Sequence, residues 1–98
     1  IPCGLIINEL VTNSLKHAFP GGEPGKIVVE LRDLPGRNYC LAVWDNGVGL
    51  PANFRIDATR SLGLRLVRTL TEQVGGKLHV ASDKGARFEI TFSAQPQN

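Results

Sequence analysis

A chain of 98 residues with 42% hydrophobic and 20% charged side chains can build one small domain around a single core, and is too apolar to stay disordered. Its net charge of +2, with Lys and Arg scattered, leaves no footprint for nucleic acid or an anionic lipid surface. No apolar run approaches the ~18 residues that a membrane-spanning helix requires. The chain opens at Ile1–Pro2 without methionine or a basic-then-apolar leader, so it is expected to be a piece of a longer protein with no targeting signal. Cys3 and Cys40 lack C-x-x-C spacing and are expected to be reduced thiols of a cytosolic protein rather than metal ligands.

Taken in chain order, Pro2 suits the first turn of a helix, where its missing N–H costs nothing. From there Ile7, Leu10, Val11, Ser14 and Ala18 form one helical stripe, and the helix should stop near Phe19 because Pro20-Gly21-Gly22 breaks it. Lys26–Leu34 alternates as a half-buried strand, with Ile27, Val29 and Leu31 on one side and Glu30 and Arg32 on the other. A turn through Leu34-Pro35-Gly36-Arg37-Asn38 joins it to a second strand, Tyr39–Trp44, as a hairpin. After Asp45–Gly49 and a loop from Leu50 to Arg60, Ser61 is a good N-cap for a second helix. Leu62, Leu66, Leu70 and Val74 supply its expected apolar face, and Gly75-Gly76 ends it. Lys77–Ser82 and Ala86–Ser93 are two further strands joined by Asp83-Lys84-Gly85, and the Ala94–Asn98 tail is polar and expected to fray. This order predicts an α+β fold of two layers, helices over one face of a sheet, with helix faces and strand ends meeting along one edge.

Three stretches on that edge carry chemistry. Glu9, Asn13, Lys16 and His17 sit at i, i+4, i+7 and i+8 of the first helix, and the first three lie within roughly 60° of one another, away from the apolar stripe. The plain reading is a solvated helix face. The functional one is a metal–phosphate face: an Asn oxygen is a hard neutral ligand for Mg²⁺, Lys16 a point charge for phosphate, and Glu9 a holder of metal-bound water or a base. Asp45-Asn46-Gly47-Val48-Gly49 holds an Asn-Gly hairpin signal, but a loop and a helix follow it, not a paired strand. A carboxylate at a strand end can instead accept a hydrogen bond from an exocyclic amine, with Gly47 and Gly49 letting a flat ring approach the backbone. Ser61-Leu62-Gly63-Leu64 opens a helix whose free N–H groups and positive dipole end attract anions.

Together NELVTNSLKH, DNGVGLP and SLGLRLV resemble the N box and the two glycine boxes of the GHKL ATPases, the group of gyrase, heat-shock chaperone, histidine kinase and mismatch-repair proteins. Within it the pattern is similar to the ATP-binding catalytic domain of bacterial sensor histidine kinases, in the stress- and light-sensing branch with a short lid. The resemblance runs from Leu5 to Phe92 and implies one domain, 1–98, with the Bergerat α/β sandwich on a mixed, largely antiparallel sheet. It implies ATP and Mg²⁺ as cofactors, with Asn13 as the metal ligand bridging to the triphosphate and Glu9 as the acidic residue that activates water in hydrolytic relatives. Lys16 and His17 correspond to the pair reaching phosphates and ribose, Asp45 to the carboxylate on the adenine amine, and Gly47, Gly49 and Leu50 to its pocket. Ser61, Gly63 and Leu64 correspond to the second glycine box at the phosphates, and residues 50–60 to the lid. Two positions depart from the pattern. Ser14 stands where the N box usually has alanine. The family's G-T-x-F is here Gly85-Ala86-Arg87-Phe88, so a threonine hydroxyl that makes a water-mediated contact near adenine is missing.

The implied activity is transfer of the γ-phosphoryl group to a histidine for two-component signalling. No acceptor stands in this chain: His17 belongs to the nucleotide face, and His79 lies in a strand as a structural imidazole. The expected partners are therefore a histidine-bearing dimerisation domain upstream in the same protein, homodimeric only at full length, and a response regulator downstream. The compartment is expected to be the cytoplasm, with the full-length protein either soluble or membrane-anchored. A clamp-type ATPase or serine-directed kinase of the same fold, and a non-catalytic nucleotide-binding module, are the alternatives. Glu9 permits hydrolysis, but nothing in the chain supplies the further domain with a catalytic lysine that a clamp ATPase brings.

Overall fold

The computed structural model describes residues 3–93, so the readings of Pro2 and of the Ala94–Asn98 tail lie outside the described residues. The first helix, α1, runs Cys3–His17 with Lys16 and His17 in its last turn, where cations suit the negative dipole end. Ala18 N–H still bonds to Ser14 O at 2.8 Å, and Gly22, at φ 72°, turns the chain away. Strands β1 (Ile27–Leu34) and β2 (Asn38–Asp45) follow, then the 46–61 segment with one 3₁₀ turn at Ile56–Ala58. Helix α2 (Leu62–Gln73) ends in a glycine cap: Gly75 sits at φ 68°, and Gly75 and Gly76 N–H bond to the carbonyls of Glu72 and Thr71. Strands β3 (Lys77–Ser82) and β4 (Ala86–Ser93) complete the chain.

The four strands form one sheet in the order β1-β2-β4-β3, and every ladder is antiparallel. Alternation along the two central strands sends Leu41 and Val43 of β2, and Phe88, Ile90 and Phe92 of β4, to the same face. There they meet Ile6 and Leu10 from α1 and Leu64, Val67 and Leu70 from α2, all of them buried, and this is the core. The fold is thus the two-layer α/β sandwich, two helices on an antiparallel sheet.

Two apolar expectations fail for reasons of position. Val29 and Leu31 share the core face with Val43 and Leu41, yet they are 44% and 61% exposed, because β1 is an edge strand that the helices do not cover. On α2, Leu62 is 79% exposed and the buried residues are Leu64, Val67, Leu70 and Thr71. The stripe starts at Leu64 since Leu62 lies in the uncovered first turn.

The outer sheet face carries a charged lattice over small residues. Arg32 reaches Glu30 at 3.3 Å, Arg87 reaches Glu89 at 3.1 Å, and the Arg87 guanidinium stacks 4.3 Å over the Trp44 ring. Cys40 and Ala42 lie buried beneath these side chains, and both cysteines are free. His79 lies in β3 opposite Glu89 and is exposed on this face. The hydrogen bond from Arg87 holds the Glu89 carboxyl below its ordinary 4.5, against partial burial that pushes it up. Its ionised form therefore stabilises the fold above about pH 4.5, and that contribution is lost as the pH falls through the lowered value. Urea unfolding between about pH 3 and 6 should show a shallower acid decline for Glu89→Gln, with about 1 kcal/mol less stability at the upper end.

Candidate functional site

The face of α1 that points away from the core ends where β2 ends, and this juxtaposition builds the site. Asp45, the last residue of β2, is only 5% exposed. A buried carboxylate is tolerable only if donors surround it. Its Oδ1 accepts from Gly47 N–H at 3.0 Å and Ala86 N–H at 3.2 Å, and its Oδ2 accepts from the Ser14 hydroxyl at 2.8 Å. A cleft of about 20 Å³ beside it is lined by Asn13, Ser14, His17, Gly49, Leu50 and Ala86 among others.

A second cleft of about 80 Å³ continues along α1, lined by Glu9, Thr12, Asn13, Lys16, His17, Ser61 and Gly63. Asn13 and His17 belong to both clefts, so one helix face connects a carboxylate end to a helix-terminus end. At the latter, Ser61 caps α2: its Oγ accepts from Leu64 N–H at 3.3 Å, and its own N–H donates to Thr59 Oγ1 at 3.1 Å. The N–H groups of Leu62 and Gly63 precede the first internal bond of the helix, Arg65 N–H to Ser61 O, and face outward with the positive dipole end. The Leu64 side chain is buried in the core, so this residue can offer the site only its backbone.

The glycines act through contact. A Cβ on Gly63 would lie 2.7 Å from Glu9 Oε2, the movable end of its side chain, so the start of α2 lies beside the Glu9 carboxylate of α1. Gly49 has φ 79° and faces the Ser82 hydroxyl, which accepts from Leu50 N–H at 2.9 Å. Gly47 packs on the end of α1, where a Cβ would run into the Ala18 carbonyl, and Val48 N–H bonds that same carbonyl at 2.9 Å. Gly85, at φ 131°, lets β4 start against the Asp45 carbonyl, a role its place in a turn sequence did not reveal. Thr12, Ser14 and Ala86 also line the clefts. Ser14 was legible as a member of the apolar stripe and as a departure from the N-box alanine, neither of which points to Asp45.

A larger cavity of about 680 Å³ lies between the 50–57 segment and β3, lined by Phe54, Ile56, Leu78 and Val80 among others. It contains neither Asp45 nor Asn13 nor Gly63, so the convergence of polar groups, and not volume, locates the site.

The donors present suit Mg²⁺ held in part by phosphate. Among the described residues no group of three or more His, Cys, Asp or Glu forms an all-protein cage. Asn13 shares its cleft with Glu9, and one or two oxygen ligands beside an anion-binding helix end are what Mg²⁺ bound to a phosphate chain needs.

Residues 2–96 match the family described as histidine kinase-, DNA gyrase B- and HSP90-like ATPase, and the chain belongs to that family. It is similar to the sensor histidine kinase PdtaS of Mycobacterium tuberculosis, 39% identical over 67 residues that make up 67% of this chain and 13% of the relative. It is also similar to blue-light-activated histidine kinase 2 of Erythrobacter litoralis, 32% identical over 79% of this chain and 22% of the relative. The histidine kinase domain of a blue-light activated histidine kinase from Erythrobacter litoralis superposes with a TM-score of 0.84 at 30% identity, covering 92% of this chain and 42% of that one. The chain thus spans less than a quarter of the length of these two curated relatives. Among the described residues no helix is long and apolar enough to cross a membrane.

Gly47→Ala provides a test of the site's packing. Relief of the contact with Ala18 O requires backbone movement, so the variant should lose about 3 kcal/mol or more of stability in a thermal melt. The same change at Gly4, whose surroundings are open, should stabilise or leave the melt unchanged.

Proposed function

We propose that this chain is the ATP-binding catalytic domain of a sensor histidine kinase. In this reading it holds Mg·ATP along α1 and presents the γ-phosphoryl group to a histidine on an upstream, dimerising domain of the same protein, for onward transfer to a response regulator. The observation that carries the reading is the polarity of one helix face. A buried, fixed carboxylate lies at one end and a capped helix N-terminus at the other, with Asn13 lining both clefts.

Asp45 accepts from the exocyclic amine of adenine. Asn13 offers its side-chain oxygen to Mg²⁺, which when bound neutralises charge on the phosphates. Lys16 and His17 stand on the same face toward the phosphates and ribose, and the N–H groups of Leu62 and Gly63 receive phosphate oxygens. Gly47, Gly49 and Leu50 carry the backbone that borders the base, and Ser61 fixes the helix end. The clefts of about 20 and 80 Å³ are smaller than a nucleotide site of ~300 Å³ or more, so binding requires their walls to open, with Leu50 at the start of the 50–60 loop lining the smaller one. Positioning and charge neutralisation account for most of phosphoryl transfer, so the domain needs no strong nucleophile of its own. The acceptor imidazole attacks phosphorus while the bond to the β–γ bridging oxygen breaks, and ADP leaves. Glu9, whose carboxylate lies beside Gly63, is the residue through which hydrolysis would compete.

Isothermal titration should show the domain binding ADP and ATP with Mg²⁺, and absence of binding at millimolar nucleotide would refute the reading. Asp45→Asn should weaken ATP and ADP alike, by the ~1.5–3 kcal/mol of a charge-assisted hydrogen bond, and reduce the preference for adenine over guanine. Asn13→Asp should leave adenine preference intact while phosphoryl transfer to a supplied histidine domain falls far more than binding. Identical profiles for the two variants would contradict the separation of a base end from a metal end. Labelled phosphate released as inorganic phosphate, with none on the histidine domain, would favour the ATPase alternative.

A further inference from the structure

Ser14 is a hydroxyl in an apolar place. It lies between Leu10 and Ala18 on the buried stripe of α1 and is 3% exposed. A serine inside a helix usually bonds back to the carbonyl one turn earlier. This one instead crosses to the end of β2 and donates to Asp45 Oδ2 at 2.8 Å. An ionised carboxylate offers roughly two lone pairs on each oxygen. Both on Oδ1 are used by the Gly47 and Ala86 amides, and one on Oδ2 is used by Ser14. One acceptor position is left, on Oδ2, beside the 20 Å³ cleft that Ser14 and Ala86 also line. With Oδ1 pinned by two amides, the Ser14 hydroxyl is the contact that sets the rotation of the carboxylate plane, and so the direction of that last lone pair.

We propose that Ser14 is the positioning residue for base recognition: it aims Asp45 at the exocyclic amine, with a hydroxyl supplied from the helix instead of from strand β4. The proposal rests on the nucleotide reading above. The two departures noted in the sequence, serine for alanine at position 14 and alanine for threonine at position 86, meet at this one carboxylate. Position 86 lines the same cleft and its amide holds the other oxygen, so a side-chain hydroxyl there would reach the same water-sized space. In the proposal the Ser14 hydroxyl does what a hydroxyl at position 86 could do, an exchange of the side that supplies it.

The test compares Mg²⁺ complexes of ADP and of purine riboside diphosphate, which lacks the 6-amine, by isothermal titration alongside thermal melts. Ser14→Ala should weaken ADP about three- to tenfold, the worth of one hydrogen bond, and leave the amine-free nucleotide unchanged. Ala86→Thr added to Ser14→Ala should return ADP to within about twofold of the parent, whereas Ala86→Thr beside an intact Ser14 should give no gain. Equal losses for both nucleotides, or no loss for either, would overturn the proposal, as would a double variant no better than Ser14→Ala. Should Ser14→Ala not fold, the double variant decides: a parental preference for ADP over the amine-free nucleotide supports the exchange, and loss of that preference refutes it. A parent chain that binds neither nucleotide would overturn the nucleotide reading itself and the role of Ser14 with it, an outcome distinct from all of these.

Discussion

The constraint on which this small structure depends is the need to satisfy one buried carboxyl group with hydrogen-bond donors. Asp45 is nearly inaccessible, and an unpaired charge there would cost several kcal/mol. The fold answers with donors from three separate pieces of chain: α1 through Ser14, the segment after β2 through Gly47, and the start of β4 through Ala86. Each donor requires its element to be close, and the closeness demands glycine. Gly47 meets the Ala18 carbonyl and Gly85 meets the Asp45 carbonyl, so the glycine pattern and the buried charge are parts of one arrangement. Satisfying Asp45 brings the end of α1 to the end of β2, and that closure creates the clefts.

Much of this was legible in the sequence, and the failures have physical causes. Helix and strand limits followed from proline, glycine and serine signals that act locally, so α1, α2 and all four strands fall within a few residues of expectation. Burial was harder, because it depends on what a neighbour covers. Val29 and Leu31 alternate as core residues should, yet β1 is an edge strand, and nothing local distinguishes an edge from a centre. Leu62 belongs to a helical stripe by spacing but precedes the turn at which α2 reaches the sheet.

The candidate site divided in the same way. Glu9, Asn13, Lys16 and His17 could be grouped because a helix has a fixed angular period, and they do share one cleft. Asp45 stood out as a carboxylate among glycines. Thr12 did not, and Ser14 and Ala86 stood out only as departures from the family pattern, since their meeting at Asp45 arises from contacts 31 and 41 residues apart in the chain. Leu64 shows the converse: it stands within the motif, but its side chain belongs to the core and only its backbone borders the helix end.

The two ends of the site are also built to different stiffness. The carboxylate end rests on strand ends, buried hydrogen bonds and glycine contacts with backbone, none of which can shift without disturbing the core. The polar ties of the 50–60 loop are open to water: Leu50 N–H to Ser82 Oγ, Arg68 to the Asp57 carbonyl at 3.2 Å, and the Arg55–Asp57 pair at 3.0 Å, while Leu50, Phe54 and Ile56 pack half-buried against the core. Exposed ties of this kind contribute little, because water competes for every partner. On the reading proposed above, a ligand along α1 would meet a carboxylate end that is already organised and a loop held chiefly by the packing of Leu50, Phe54 and Ile56. On the same reading, selection of the base and accommodation of the phosphates fall to different parts of the chain. The connection between them is Asn13, held by α1 and therefore moving with neither the loop nor the ligand.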